Sequence, residues 1–402
     1  MTKRVMLVYG TRPEAIKMAP VVFELRRSAE LTPVVVLTGQ HRSMLEQVNQ
    51  DFGIDPDHDL EIMETVQTLQ DITVRCLQGV SELLRDERPD VVLVQGDTTS
   101  AFAAALAAFY EQIPVAHLEA GLRTGDIYSP YPEEANRRLI SRLASLHLAP
   151  TPASRENLLR ERVEHESVVV TGNTIIDALL WTVRQTRPFS DPRLRALESS
   201  GAPILLVTAH RRESWGKPMQ LVSEALAEIS SRMPELQVVL PVHPNPIVRD
   251  ALLPHLEASN VTILEPLPYP EFARLMAICS IVLTDSGGIQ EEAPSLGKPV
   301  LVMRDSTERP EGIVAGTARL IGTDPADIIE AVETLSGDPD AYQAMAKSIN
   351  PYGDGQAARR TVEALTSFLN QGSAPYDFET SQPLSEIPAS GDRPSLELPA
   401  AS

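Results

Sequence analysis

The sequence is short of positive charge and of cysteine, and it contains neither a long apolar run nor a G-x-G-x-x-G segment. Lys and Arg number 35 against 55 Asp and Glu, a formal net charge of −20. Such a chain repels phosphate backbones and anionic lipid at long range. That argues against a nucleic-acid or membrane partner but not against a small anion held in a locally positive pocket. The two cysteines, Cys76 and Cys279, cannot build a disulfide framework and neither has metal-ligand spacing around it. Both read as small core residues of a protein in the reducing cytoplasm. The opening MTKRVMLVYG turns apolar only briefly before Gly10, which reads as a strand and not as the apolar region of a signal peptide. The Ala-rich stretch Ala101–Tyr110 is much too short to span a bilayer. Without the glycine fingerprint bound NAD has no sequence support, and no two histidines stand at ligand spacing on one element, so neither cofactor nor metal is expected.

What the sequence does have is a repeating rhythm. Apolar residues make up 43% and charged residues 22% of 402, ordinary for a large buried core, and the length suggests two domains. Short β-branched runs recur, each followed by a helix-like segment: Arg4–Tyr9, Val34–Thr38, Val91–Gln95, Val115–Leu118 and Val168–Thr171, then Ile204–Thr208, Val238–Pro241, Val261–Leu264, Ile281–Thr284 and Val300–Met303. Runs apolar throughout mark strands buried on both faces, as in parallel sheets built from βαβ units. The class is therefore α/β, with two Rossmann-like, doubly wound parallel-sheet domains facing a cleft. The expected divisions are 1–170, 171–355, a C-terminal helix at 356–370, and a tail at 371–402. The tail holds five Pro, six Ser and five acidic residues with no periodic apolar face, and is expected to be disordered.

Ligands of such folds bind outside the carboxyl ends of the strands, so the turns there are the places to look. Gly10–Lys17 (GTRPEAIK) combines a glycine exit, a Pro in the first helical turn, free helix N–H groups and the cations Arg12 and Lys17, which together suit a diphosphate. Thr284–Glu292 (TDSGGIQEE) matches it in the second half. Ser286, Gly287 and Gly288 open a helix, and an acid one turn later can accept from ribose hydroxyls. Acidic turns lie at Gly96–Thr99 (GDTT), His117–Asp126 (HLEAGLRTGD) and Tyr131–Arg138 (YPEEANRR). Singly, Asp97 reads as an N-cap, and Glu133 and Glu134 read as partners of Arg137 and Arg138 on a solvated face. Together they look like acid–base machinery. His210, flanked by Arg211, and His243 follow neighbouring strands and suit contact with phosphate or a leaving group.

In order along the chain, GTRPEAIKMAP, TGQHRSML, QGDTTS, HLEAGLRTGD, YSPYPEEANR, TGNTIIDALL, TAHRRES, PVHPNP, LTDSGGIQEEAPSLGKPVLVMRDSTERPE and NPYGDGQA resemble the bacterial non-hydrolysing UDP-N-acetylglucosamine 2-epimerases. The resemblance covers about residue 4 to about residue 369. It implies a two-domain fold of the glycosyltransferase B type with UDP in the cleft and a C-terminal helix crossing back to the first domain. It further implies a homodimer, no cofactor, and reversible interconversion of UDP-N-acetylglucosamine and UDP-N-acetylmannosamine for cell-surface polysaccharide synthesis. Chemistry constrains the route. The carbon-2 proton has no adjacent carbonyl, so without a nicotinamide UDP must leave carbon 1 as that proton is lost, and return to the other face of the resulting glycal.

By the same resemblance Asp97, Glu119 and Glu133 are the proton-transfer carboxylates, with acid and base unassigned, and His210 stands by the leaving diphosphate. Arg12, Lys17, His243, Ser286, Gly287 and Glu292 contact UDP, Glu292 on the ribose, and Phe272 lies in the uracil stretch. Gln40, Arg211 and His243 match an allosteric substrate site seen in several members, but Val66 stands where an arginine would precede the QTL stretch and Ser43 replaces a glutamine. A hydrolysing 2-epimerase, a UDP-sugar glycosyltransferase of the same fold and a non-catalytic sugar-nucleotide sensor are the competing readings. The last two have no need of all three carboxylates.

Overall fold

The structure, a computed structural model, describes residues 2–39, 42–62, 68–185, 187–211, 214–372 and 377–379, with residues 42–44 as backbone only. It falls into two units, one of residues up to Ala178 together with Tyr352–Glu379, the other of Leu179–Pro351.

The first unit carries β1 (Lys3–Tyr9), α1 (Arg12–Arg27), β2 (Leu31–Leu37), α2 (Arg42–Phe52), β3 (His58–Asp59), α3 (Leu69–Glu87), β4 (Val91–Gln95), α4 (Thr99–Tyr110) and β5 (Val115–Leu118). After these come α5 (Glu133–Leu143), β6 (Leu146–Ala149), α6 (Pro152–Arg160), β7 (Val168–Val170) and α7 (Thr174–Arg184), within which the division falls. The seven strands form one parallel sheet in the order β3-β2-β1-β4-β5-β6-β7. Its strands are apolar on both sides because both faces are covered. Met6, Val8, Val92 and Val94 pack with Cys76 and the alanines of α4, while Val5, Leu7, Val91 and Leu93 are equally buried. Alanines along α4 let that helix lie close to its neighbours α3 and α5.

The second unit carries α8 (Pro192–Ser200), β8 (Ile204–Thr208), α9 (Lys217–Arg232), β9 (Gln237–Pro241), α10 (Pro246–Leu252), β10 (Val261–Leu264), α11 (Tyr269–Ile278) and β11 (Ile281–Thr284). It continues with α12 (Gly287–Glu292), β12 (Val300–Val302), α13 (Pro310–Val314), β13 (Ala318–Leu320), α14 (Pro325–Gly337) and α15 (Pro339–Ala346). Six parallel strands lie in the order β10-β9-β8-β11-β12-β13. Leu205 and Val207 face a core shared with α9 and α14, and Ile204, Leu206 and Val282 face one with Phe189, Leu275 and Met276.

All ten strands read from the sequence are present. The sequence reading lacks β3, β6 and β13, whose segments His58–Asp59, LHLA and ARL are too short or too polar to show as β-branched runs. Both cysteines are buried and free, and burial pushes each thiol up to about 12. Among the described residues no helix is long and apolar enough to cross a membrane.

The last described residues return to the first unit. α16 (Ala357–Asn370) packs on α1, and its first N–H groups are capped from another element, with Ala357 and Ala358 donating to the Asp177 carboxylate at 3.2 and 2.9 Å. Asp177 is buried, and burial lifts its carboxyl to about 7 against the pull of those hydrogen bonds. The tail expectation needs correction at Asp377–Glu379. Phe378 N–H donates to the Val170 carbonyl at 2.7 Å, and Asp377 Oδ1 accepts from Val170 N–H at 2.8 Å. These bonds satisfy the open edge of β7, the last strand of the sheet. Asp377 also pairs with Arg155, and Phe378 is buried under the Arg360 guanidinium, 5.3 Å from its ring centre. Residues 373–376 and 380–402 lie outside the described residues.

Candidate active site

In each sheet the chain reverses its direction of winding between two central strands, β1 and β4 in the first, β8 and β11 in the second. The carboxyl ends of such pairs are where open α/β sheets bind ligands. Arg12, Lys17, Asp97, His210, Arg211, Ser286, Gly287 and Glu292 follow these four strands, while Glu119 and Glu133 follow β5, His243 follows β9 and Phe272 follows β10.

At the first pair, the exit of β1 passes close to β2. A Cβ on Gly10 would lie 2.0 Å from Thr38 Oγ1, so only glycine fits. Glu14, one turn into α1, folds back to accept from Gly10 N–H at 2.8 Å and Thr11 N–H at 2.7 Å, and Thr98 after β4 donates to its other oxygen. One buried carboxylate thus joins the two turns. Sequence reasoning passed over Glu14, although Glu three residues after Thr11 is a capping-box signal. Arg12 opens the helix half-buried, and no described residue pairs with its guanidinium.

Asp97 is not a helix cap. Thr98 caps α4, accepting from Ala101 N–H at 3.1 Å, and the Asp97 carboxylate instead meets Arg137, whose Nε donates at 3.0 Å. Burial lifts the Asp97 carboxyl above the ordinary aspartate value. The Arg137 charge opposes this, and the nearby Glu119 charge adds to it. Asn136 holds the Asp97 carbonyl at 2.9 Å, so the Asn136–Arg137 face of α5 is turned toward this turn. Glu133, one helical turn earlier, starts that same face. It is half-buried and has no hydrogen bond or ion pair among the described residues. Glu134 is fully buried and accepts from Arg138 at 2.8 Å, Arg137 at 3.3 Å and Thr124 N–H at 3.1 Å. The expected arginine pairing therefore belongs to Glu134 alone, and on a buried face.

Glu119 has φ +65, a left-handed backbone that a non-glycine residue adopts only when its surroundings hold it there. Its carboxylate accepts from Lys17 Nζ at 2.5 Å, Gln95 Nε2 at 2.5 Å and Asn173 Nδ2 at 3.1 Å. Lys17, assigned to the nucleotide by resemblance, thus stands among the carboxylates. Behind them His117, fully buried, meets the Gly96 carbonyl through Nε2 at 2.7 Å, and burial pushes its imidazole down to about 3. It is neutral at physiological pH and ties the turn bearing Asp97 to the strand bearing Glu119.

At the second pair, Thr208 and Thr284 are in register with hydroxyls 2.6 Å apart, and each strand exits into the candidate residues. Asp285, 1% exposed, accepts from the N–H groups of His210 and Arg211 at 2.7 and 2.8 Å. The His210 and His243 rings stack 6.2 Å apart at 17°, and burial, then the His210 charge, lower the His243 imidazole. Arg211 pairs with Glu308, which also accepts from Arg304 at 2.6 Å. Burial works to raise Glu308, but the Arg304 hydrogen bond and the two arginine charges outweigh it and hold the carboxyl at about 2. Gly287 makes room for that pair, since a Cβ there would lie 2.9 Å from Glu308 Oε1.

Ser286 stands at the N-terminus of α12 beside the exposed Gly288, while Glu292 is buried and accepts from the Tyr269 hydroxyl at 3.2 Å. Phe272, one turn into α11, is half-buried against the core of this unit. Gln40 and Val66 lie outside the described residues, as does the Ser43 side chain. Among the described residues no three His, Cys, Asp or Glu side chains are grouped to hold a metal.

The chain matches the family model for UDP-N-acetylglucosamine 2-epimerase over residues 23–366. It belongs to that family. Among its relatives, the UDP-N-acetylglucosamine 2-epimerase of Escherichia coli K12 is 52% identical over 372 residues, 90% of this chain and 98% of that one. The Bacillus subtilis enzyme of the same name is 52% identical over 363 residues, 90% and 94% of the two chains. A crystal structure of UDP-GlcNAc 2-epimerase from Neisseria meningitidis bound to UDP-GlcNAc matches with 47% identity and a TM-score of 0.81, covering 90% of this chain and 100% of that one. Both domains accordingly have the Rossmann-like architecture of the glycosyltransferase B type that the epimerase family shares.

Proposed function

We propose that this family member interconverts UDP-N-acetylglucosamine and UDP-N-acetylmannosamine without hydrolysis, by eliminating and re-adding UDP through a glycal. The observation that carries the reading is the carboxylate cluster of the first domain, in which Asp97 is raised by burial and Glu119, left-handed in its backbone, has its carboxylate fixed by Lys17, Gln95 and Asn173. Proton transfer at carbon 2 needs carboxyl groups fixed in this way. A sensor or a transferase has no use for Asp97, Glu119 and Glu133 together.

In the forward reaction a carboxylate of this group takes the carbon-2 proton while the carbon 1–oxygen bond breaks and its electron pair leaves on the diphosphate. In the return step UDP re-adds at carbon 1 and a proton is delivered to the opposite face of carbon 2. Glu133, half-buried and with no partner among the described residues, serves exchange with a bound sugar. Arg12, His210, His243 and the N–H groups at Ser286 and Gly287 serve the diphosphate. Glu292 serves the ribose and Phe272 the uracil. Lys17 acts through Glu119 as well as on the anion. Arg211, which pairs with Glu308, belongs with Gln40 and His243 to a substrate-activation site.

The enzyme is a cytoplasmic homodimer whose product feeds cell-surface polysaccharide synthesis. Support for the dimer comes from large apolar side chains left exposed on the adjacent helices α3, α4 and α5, namely Val74, Phe109, Tyr110 and Leu139. Incubation with UDP-N-acetylglucosamine, no metal or NAD added, should give a mixture of the two UDP sugars. Release of free N-acetylmannosamine and UDP in equal amounts would replace this reading with a hydrolysing enzyme.

A further inference from the structure

We propose that Asp285 is the positioning residue of His210, holding its imidazole in the Nδ1–H tautomer so that Nε2 is the ring atom offered to the departing diphosphate. The inference rests on the placement of His210 by that diphosphate.

Topology brings Asp285 and His210 together. β8 and β11 are neighbours at the point where the second sheet reverses, and the Thr208–Thr284 register sets the next residues of each strand side by side. Asp285 N–H donates to the Thr208 carbonyl at 3.2 Å, which fixes the base of its side chain. From there Oδ2 takes the N–H groups of both His210 and Arg211, clamping the turn in which the imidazole is rooted.

The second oxygen has a different fate. Asp285 Oδ1 is buried and no hydrogen bond reaches it among the described residues, yet it lies 3.1 Å from His210 Nδ1. That separation lies within the range of an N–H···O hydrogen bond. A carboxylate oxygen shut away from water requires a donor, and the Nδ1 proton is the one at hand. On the other side the His243 ring stacks against His210 and limits its rotation. Asp285 is held below the ordinary aspartate range. Burial acts to raise it, but the His210 imidazole beside it and the two backbone N–H groups prevail. A buried, ionised acceptor at Nδ1 fixes the tautomer of its histidine and supports the imidazolium when Nε2 is also protonated. Nε2–H can then donate to the phosphate oxygen that receives the electron pair from carbon 1, and to the same oxygen as it returns.

The test is ¹⁵N spectroscopy of the full-length enzyme labelled at histidine, with His210 assigned by loss of its signals in His210→Gln, alongside turnover of UDP-N-acetylglucosamine. Neutral His210 should carry its proton on Nδ1. In Asp285→Asn the amide turns a donor toward the ring, the proton moves to Nε2, and kcat falls by about 100-fold or more with KM changed far less. Wild-type His210 protonated on Nε2 would overturn the proposal, whether or not the variant folds, and so would kcat in Asp285→Asn within about threefold of wild type. If the wild-type enzyme turned over no UDP sugar, the epimerase reading would fall, and the tautomer would still decide what Asp285 does.

Discussion

Replacing Glu133 by Gln and, separately, Glu134 by Gln should split catalysis from stability between two adjacent residues. Glu134 is fully buried and accepts from two guanidinium groups and one backbone N–H. Neutralising one member of a buried pair costs about 3–5 kcal/mol, and the lower end applies because Arg137 keeps Asp97 and the Arg138 side chain is 37% exposed. At 2–4 °C per kcal/mol for a domain of this size, Glu134→Gln should melt about 6–12 °C below wild type. Glu133 has no partner among the described residues, so Glu133→Gln should stay within about 0.5 kcal/mol of wild-type stability. Its turnover should nevertheless fall at least about 100-fold, close to 3 kcal/mol of barrier. Thermal unfolding and proton NMR of the sugar products read the two effects independently. Near-normal turnover in Glu133→Gln would refute the catalytic assignment, and a wild-type melting curve for Glu134→Gln would refute the structural one.

Two further outcomes follow from the C-terminal segment. Asp177 has its folded value raised, so it favours the folded state fully below the ordinary aspartate range and loses that contribution as pH climbs through about 7. The span corresponds to about 4 kcal/mol at most, and the stability difference between wild type and Asp177→Asn should shift against wild type from pH 5 to pH 8; a difference independent of pH would contradict the burial argument. Ending the chain at Gly372 removes Phe378 from beneath Arg360 and should cost about 1.5–3 kcal/mol, whereas ending it at Glu379 should cost nothing; equal melting points for the two truncations would show that the contact with β7 carries no stability.

Much of this was legible in the sequence because parallel sheets buried on both faces leave continuous apolar runs, and the turns after those runs are where chemistry gathers. What escaped are relations between residues far apart along the chain. Asp285 sits in plain view in the SGG turn, but its partner His210 is brought to it only by the pairing of β8 with β11. Glu14 likewise needs the β1–β4 pairing to reach Thr98. Glu133 and Glu134 have nearly the same local sequence, and only the helical rotation between them decides which one is buried. Lys17 carries the charge of an anion-binding residue, and nothing local indicates that Glu119 takes it. Asp377 and Phe378 lie in a segment of Pro, Ser and acidic residues, whose composition hides three residues that fit the edge of a sheet.

The central claim is proton transfer at carbon 2 by the carboxylates of the first domain. Its most direct test is proton NMR of UDP-N-acetylglucosamine incubated with the enzyme in D₂O. Deuterium at carbon 2 of both sugars, appearing as the manno epimer forms and lost in Asp97→Asn, Glu119→Gln and Glu133→Gln, is the predicted result. Bound substrate that never exchanges this proton, or exchange that survives all three substitutions, would contradict the account.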